Sequence, residues 1–299
     1  MRCCLALLVL TLGVGCEPGP AITADNPGAD TTVTDALGRT LTVAAPPRRV
    51  LPLAPNLTEI AFAVGAGPRV AAVSPADDHP EAIAGLPRFS TYPLDHEGVV
   101  ALEPDLLLAT DQVNSPAEAA PFEALGIPTY FFSFASVADV PAALRTAGRL
   151  LGGDGEPAAR AFESAVGHVR DAVAGLPRPR TLLLVGDDVL YAFGRDSYAS
   201  EAVRLAGGDN LTDGFEGQAV TLSDEWVLEQ QPDVIVVLSD PYDPASLLAH
   251  HPTWRGLPAV RAGRVVGLDP DLLSRPGPRL ADGIQALAQR LHPAAPLAR

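Results

Sequence analysis

Lysine is absent from all 299 residues, so every Lys or Arg position in the chain is one of 21 arginines. This excludes a P-loop lysine, a Schiff-base lysine and a lysine general base. Cysteine is nearly absent. Cys3, Cys4 and Cys16 are the three present, and beyond them there is no thiol nucleophile, disulfide or cysteine-based metal set. Positive charge is scarce: the formal net charge is −15, which argues against nucleic acid as a partner. No Gly-x-Ser-x-Gly, His-Glu-x-x-His or Gly-x-Gly-x-x-Gly pattern occurs, which leaves an exported α/β enzyme as the weaker alternative. Its best catalytic candidate is Asp187-Asp188 after a strand. The six histidines do not fall at metal-ligand spacing, and His250-His251 ahead of Pro252 reads as a solvated loop. Neither a metal nor a resident cofactor is expected.

The N-terminus does carry a signal. Arg2 precedes an apolar run from Leu5 to Val14, too short to span a bilayer as a helix, and Gly15-Cys16 closes it. This pattern predicts a lipoprotein signal over 1–16, acylation of Cys16 and a periplasmic or cell-surface location with a lipid anchor in the membrane. Gly13 stands where leucine is usual, and an ordinary secretory signal cleaved nearby is the alternative. Residues 17–47 read as a tether followed by a small hairpin turning at Leu37-Gly38-Arg39.

From Arg49 onward strands alternate with helices, which predicts an α/β fold. Val50–Leu53, Val70–Val73, Leu106–Leu108 and Thr129–Phe132 are strand-like. Thr58–Gly65 reads as a helix capped by Thr58 and stopped by Gly65. Residues 137–177 are helical, with Phe162, Val166, Val169 and Val173 on one face of a long helix opened by Glu156-Pro157. Thr181–Val185, Val234–Leu238 and Arg264–Leu268 restart the strand pattern. The expected organisation is an N-terminal lobe over 48–136, helices with an inter-lobe connector over 137–177, and a C-terminal lobe over 178–299.

One pattern occurs twice. Glu97 leads through a short apolar stretch to Pro104-Asp105 and a strand; Glu225 leads at the same offset to Pro232-Asp233 and a strand, 128 positions later. Asp95 and Ser223 each precede their glutamate by two and are good N-cap residues, so both acids fall in a first helical turn, where the helix dipole favours their charge. The repeat predicts two similar lobes, each presenting one acid at an equivalent exposed tip.

Several segments together carry a family resemblance: Arg49–Ile60, Glu97–Leu108, Leu125–Pro128, Ala206–Asn210, Trp254–Val265 and Asp271–Arg279. Over about residues 48–292 the chain resembles the helical-backbone, or cluster III, periplasmic substrate-binding proteins of ABC importers for cobalamin, haem and ferric siderophores. The resemblance implies two Rossmann-like lobes joined by one long α-helix, with the ligand in the cleft between them; because a helix resists hinge bending, closure on the ligand is expected to be small. It implies a monomer whose Glu97 and Glu225 dock on the two permease subunits. The cobalamin binders are the closest match. By that match Asp271, Arg275, Tyr92 and Tyr191 contact the ligand, with Pro55 and Asn56 beside them. Ala76, Thr110 and Ala219 occupy positions where cobalamin binders carry aromatic residues. Haem, with Tyr92 as axial ligand, and ferric siderophores, paired by Arg275 or Arg279, are the alternatives within the fold.

Overall fold

The computed structural model describes residues 30–295; the signal segment with Cys16, and nearly all of the tether, lie outside the described residues. The described chain opens on an antiparallel hairpin, β1 (Thr31–Thr34) and β2 (Thr40–Val43). Asp35 ties its turn by accepting from the backbone N–H groups of Leu37 and Arg39 at 3.0 and 2.9 Å. Gly38 supplies the positive φ of 75° that the turn needs.

The first lobe is a parallel sheet of β3 (Val50–Pro52), β4 (Leu106–Thr110) and β5 (Thr129–Phe132) in that order. Its helices are α1 (Pro55–Ala63), α2 (His96–Ala101) and α3 (Pro116–Ala124). Two helices follow, α4 (Asp139–Leu151) and α5 (Glu156–Val173). The second lobe holds β6 (Arg180–Leu184), β7 (Tyr191–Phe193), β8 (Asp209–Asn210), β9 (Ala219–Thr221), β10 (Val234–Leu238) and β11 (Val265–Leu268). The sheet runs β11-β10-β6-β7-β9, with β8 beside the start of β6. Its helices are α6 (Tyr198–Leu205), α7 (Asp224–Gln230), α8 (Pro244–His250), α9 (Pro258–Arg261), α10 (Pro270–Leu273) and α11 (Leu280–Leu291).

Two local expectations are corrected. Helix α1 starts at Pro55, behind an extended Ala54 with no side-chain cap. Proline suits a first helical position and lacks the N–H an interior one needs. Thr58 is therefore buried mid-helix and caps nothing; its hydroxyl has no hydrogen-bond partner. Val70–Val73 makes no continuous strand because it changes partner midway. Ala71 donates its N–H to the Val50 carbonyl, whereas Val73 pairs with the 87–89 segment.

The strands are apolar on both faces, as parallel strands covered on two sides must be. In β4, Leu106 and Leu108 face one core and Leu107 and Ala109 another; in β10, Val234 and Val236 are separated in the same way from Ile235 and Val237. The inner faces of both sheets belong to a single continuous core. Helix α5 carries that continuity, packing on α4 at one side and on α11 and α6 at the other. Phe162, Val169 and Val173 are its buried face, and Val166 is half-buried. The architecture is two Rossmann-like α/β lobes with this helix between them.

Candidate functional site

In open parallel sheets the loops at the carboxyl ends of the strands border the ligand crevice. Both lobes bring their chemistry to that edge. Pro55 and Asn56 begin α1 directly after β3. Tyr92 lies in the loop beyond the parallel Val73–Arg88 bridge and is 96% exposed. Tyr191 starts β7 and pairs with the end of β6, its carbonyl accepting from Val185 N–H at 2.9 Å; its ring is half-exposed. Asp271 follows β11 at the start of α10, where Asp269 caps its N–H at 2.9 Å. Val113 and Val189, both well exposed, add apolar surface beyond β4 and β6. Thr110 is buried and contributes none. The exposed Val residues escape sequence inspection because single apolar loop residues carry no periodic signal.

The strap 274–279 crosses from the second lobe to the first. Asn56 donates from Nδ2 to the Pro276 carbonyl at 3.2 Å. Arg279 forks onto the buried Glu59 of α1, Nη2 to Oε1 at 2.7 Å and Nε to Oε2 at 3.1 Å. Arg275 bridges Asp271 at 2.7 Å and Asp78 at 2.6 Å, and also donates to the Ala76 carbonyl at 3.1 Å. The two acids Arg275 joins are perturbed in opposite senses. Burial and a hydrogen bond to Asp78 push the Asp271 carboxyl up to about 6. Burial also works to raise Asp78, but hydrogen bonds from Asp271 and Arg275 hold it down to about 2. Glu59 and Asp78 were not singled out in the sequence. Only the fold brings Asp78 to the strap. Beyond the Glu59–Arg279 pair a cavity of about 330 Å³ opens, bordered by Phe62, Ala63 and His79.

The two repeated acids occupy equivalent places. Asp95 accepts from Gly98 N–H at 3.0 Å and Ser223 accepts from Trp226 N–H at 3.2 Å, so Glu97 and Glu225 both lie second in their helices. Both are exposed. Hydrogen bonds from its own backbone N–H and the Ser223 hydroxyl lower the Glu225 carboxyl. The rest of the repeat is structural. Glu103 and Gln231 end the two helices at φ of 46° and 49°, the only positive-φ non-glycine residues among those described. Asp105 then accepts from Arg48 and Arg49 N–H at 2.7 and 2.9 Å, and Asp233 from Arg180 N–H at 2.9 Å. Each Pro-Asp thus pins the first strand of its own lobe.

The signature of the family described as "Periplasmic binding protein" matches residues 51–272. The chain belongs to that family. A Vitamin B12-binding protein of Vibrio vulnificus (strain CMCP6) is 28% identical over 82% of this chain and 90% of its own length. The ABC transporter substrate-binding lipoprotein YvrC of Bacillus subtilis (strain 168) is 25% identical over 88% of this chain and 85% of its own. The crystal structure of a periplasmic heme binding protein from Pseudomonas aeruginosa superposes with a TM-score of 0.76, at 27% identity over 85% of this chain and 95% of that one. This periplasmic binding protein is the substrate-binding component of an ABC importer.

Its histidines do other work. His251 is buried rather than solvated: Nδ1 lies 2.7 Å from Asp224 Oδ1 and Nε2 lies 2.9 Å from the Asp187 carbonyl. It stacks on the buried Trp254 at 4.4 Å, so His251 turns inward against α7 while His250 and Pro252 stay exposed. His96 stacks on Phe122 at 4.9 Å. Among the described residues no group of three or more His, Cys, Asp or Glu is arranged to hold a metal ion, and no helix is long and apolar enough to cross a membrane.

Proposed function

We propose that this binding protein captures cobalamin or a related corrinoid in the inter-lobe cleft and hands it to a permease dimer, without chemical turnover. The observation that carries the reading is the chemistry of the carboxyl edge. Exposed Tyr92 and Tyr191 offer aromatic faces to a large flat ligand, and Asp271 with Arg275 supplies polar anchoring. Arg275 and Arg279 are both engaged by carboxylates, which disfavours haem propionates and anionic siderophores. Pro55 and Asn56 line the same edge. Glu97 and Glu225 meet arginines of the two permease subunits; exposed rim charges steer docking and register more than they add affinity. Cys16 carries the lipid anchor, and the protein acts as a monomer.

Titration of the purified protein with cyanocobalamin, cobinamide and haem, read by tryptophan quenching and visible spectra, tests the ligand. Saturable binding of a corrinoid is expected. Haem binding with no corrinoid binding reassigns the ligand to haem, with the Tyr92 phenolate as axial oxygen; binding of none overturns the chelate reading. Replacing Cys16 with serine is expected to release the protein from the membrane fraction, and unchanged retention overturns the anchor.

A further inference from the structure

Asp78 has no part in the ligand reading, yet it holds Arg275 at the shortest distance of any partner. It lies on the first lobe, 197 positions from Arg275. Its Oδ1 is 2.6 Å from Arg275 Nη1 and 3.5 Å from Arg279 Nη2. The loop that carries it is braced. Ser74 donates to Asp77 Oδ2 from its N–H at 2.8 Å and from its hydroxyl at 2.5 Å. Arg88 Nη1 donates to the carbonyls of Ser74 and Asp77 at 2.7 and 2.6 Å. Asp78 is therefore presented to the strap from a fixed position.

With all groups ionised the network is three carboxylates, Glu59, Asp78 and Asp271, against two guanidiniums. It carries one negative charge in excess. An incoming carboxylate meets an arginine already engaged on both Nη atoms and a like-charged neighbour. A carboxamide of the same shape brings no charge and donates to the Asp78 and Asp271 oxygens. Discrimination by a built-in repulsive group is the established physical route to specificity between isosteres.

We propose that Asp78 is a specificity gate: by occupying Arg275 from the opposite lobe, it makes the cleft refuse ligands that bring a carboxylate to this point and accept their amide or ester counterparts. The inference rests on the reading of Arg275 as a ligand-contacting residue. The gate relaxes in acid. Arg275 and Arg279 of the strap, Asp78 of the braced loop and Asp269 before α10 are the charged groups that face Asp271, with Glu59 of α1 paired to the two arginines. When Asp271, pushed up to about 6, takes a proton, the network becomes neutral and loses its repulsion.

The test uses matched ligand pairs: cyanocobalamin against its separated monocarboxylates, in which one peripheral propionamide is hydrolysed, and haem against its dimethyl ester. Wild-type protein at pH 8 is expected to bind at least one carboxylate form about tenfold more weakly than its neutral counterpart. Asp78→Asn, which removes the charge and keeps the shape, is expected to bring that ratio close to one, and lowering the pH to 5 narrows it in the wild type. Equal binding of the paired forms by wild type overturns the gate, as does a ratio that Asp78→Asn leaves unchanged. Which ligand type binds at all tests the corrinoid reading separately, because the ratio is read on whichever pair the protein accepts. Binding of neither pair overturns both.

Discussion

Arg279 and Glu59 show why a residue in this cleft cannot be judged alone. Glu59 is 3% exposed, and its carboxylate is tolerable only because Arg279 forks onto it. Arg279→Ala leaves it with Arg275 at 3.9 Å. Breaking a buried pair from one side costs about 3–5 kcal/mol, and urea denaturation of the variant is expected to show a loss of that order. Asp271 and Asp78 give a pH signature. The Asp271 carboxyl is raised from 3.8 to about 6, so the folded state holds its proton more tightly. That contribution is full below about 3.8 and is lost as pH rises through about 6. Asp78 runs the other way: its contribution is full above 3.8 and is lost as pH falls toward about 2. Thermal denaturation across pH is therefore expected to show the wild type losing stability between pH 4 and pH 7 relative to Asp271→Asn. Parallel curves contradict the shared-proton geometry.

At the scale of elements, the short helices α2 and α7 depend on their caps. Each begins with an extended residue whose side chain accepts from the third residue on, and removing such a cap costs about 1 kcal/mol. Asp95→Ala and Ser223→Ala are each expected to lower stability by that amount in chemical denaturation. They also loosen the turn that presents the exposed tip glutamate, Glu97 or Glu225. Charge reversal at both tips, Glu97→Arg with Glu225→Arg, is expected to abolish uptake in a reconstituted importer, with ligand titration as the control for folding; retained uptake removes the docking role. The helix starts were legible because capping is local chemistry. The start of α1 was misread because Thr58 looks like a cap wherever it stands, and only Pro55 at the first turn decides the matter. The short β7, β8 and β9 were not legible at all: β8 has two residues and the others three, below the length at which a period can be read.

At the scale of the molecule, α5 and the continuous core oppose hinge motion. Closure of the lobes would shear Phe162, Val169 and Val173 against α4 and α11. Close-packed interiors resist such continuous deformation. Small-angle scattering with and without ligand is expected to show no measurable compaction; a large one overturns the rigid-connector account. Phe162→Ala is expected to cost about 3–5 kcal/mol and to loosen both lobes together, because the core it enters belongs to both.

The chain by itself determined what is local. The missing lysine and the confinement of cysteine to the first sixteen positions excluded whole classes of chemistry. Apolar strands, helix caps and the Glu…Pro-Asp repeat specified two α/β lobes with matched tips. Tertiary structure alone decided the electrostatics of the cleft. Arg275 reads in sequence as a ligand contact, and the fold engages it with Asp78 across 197 positions. His251 reads as a surface residue and is buried between Asp187 and Asp224. Capping and periodicity act over a few residues and leave a trace in order. Charge pairing across a cleft acts through space, and nothing in the order of residues records which partners the fold will bring together.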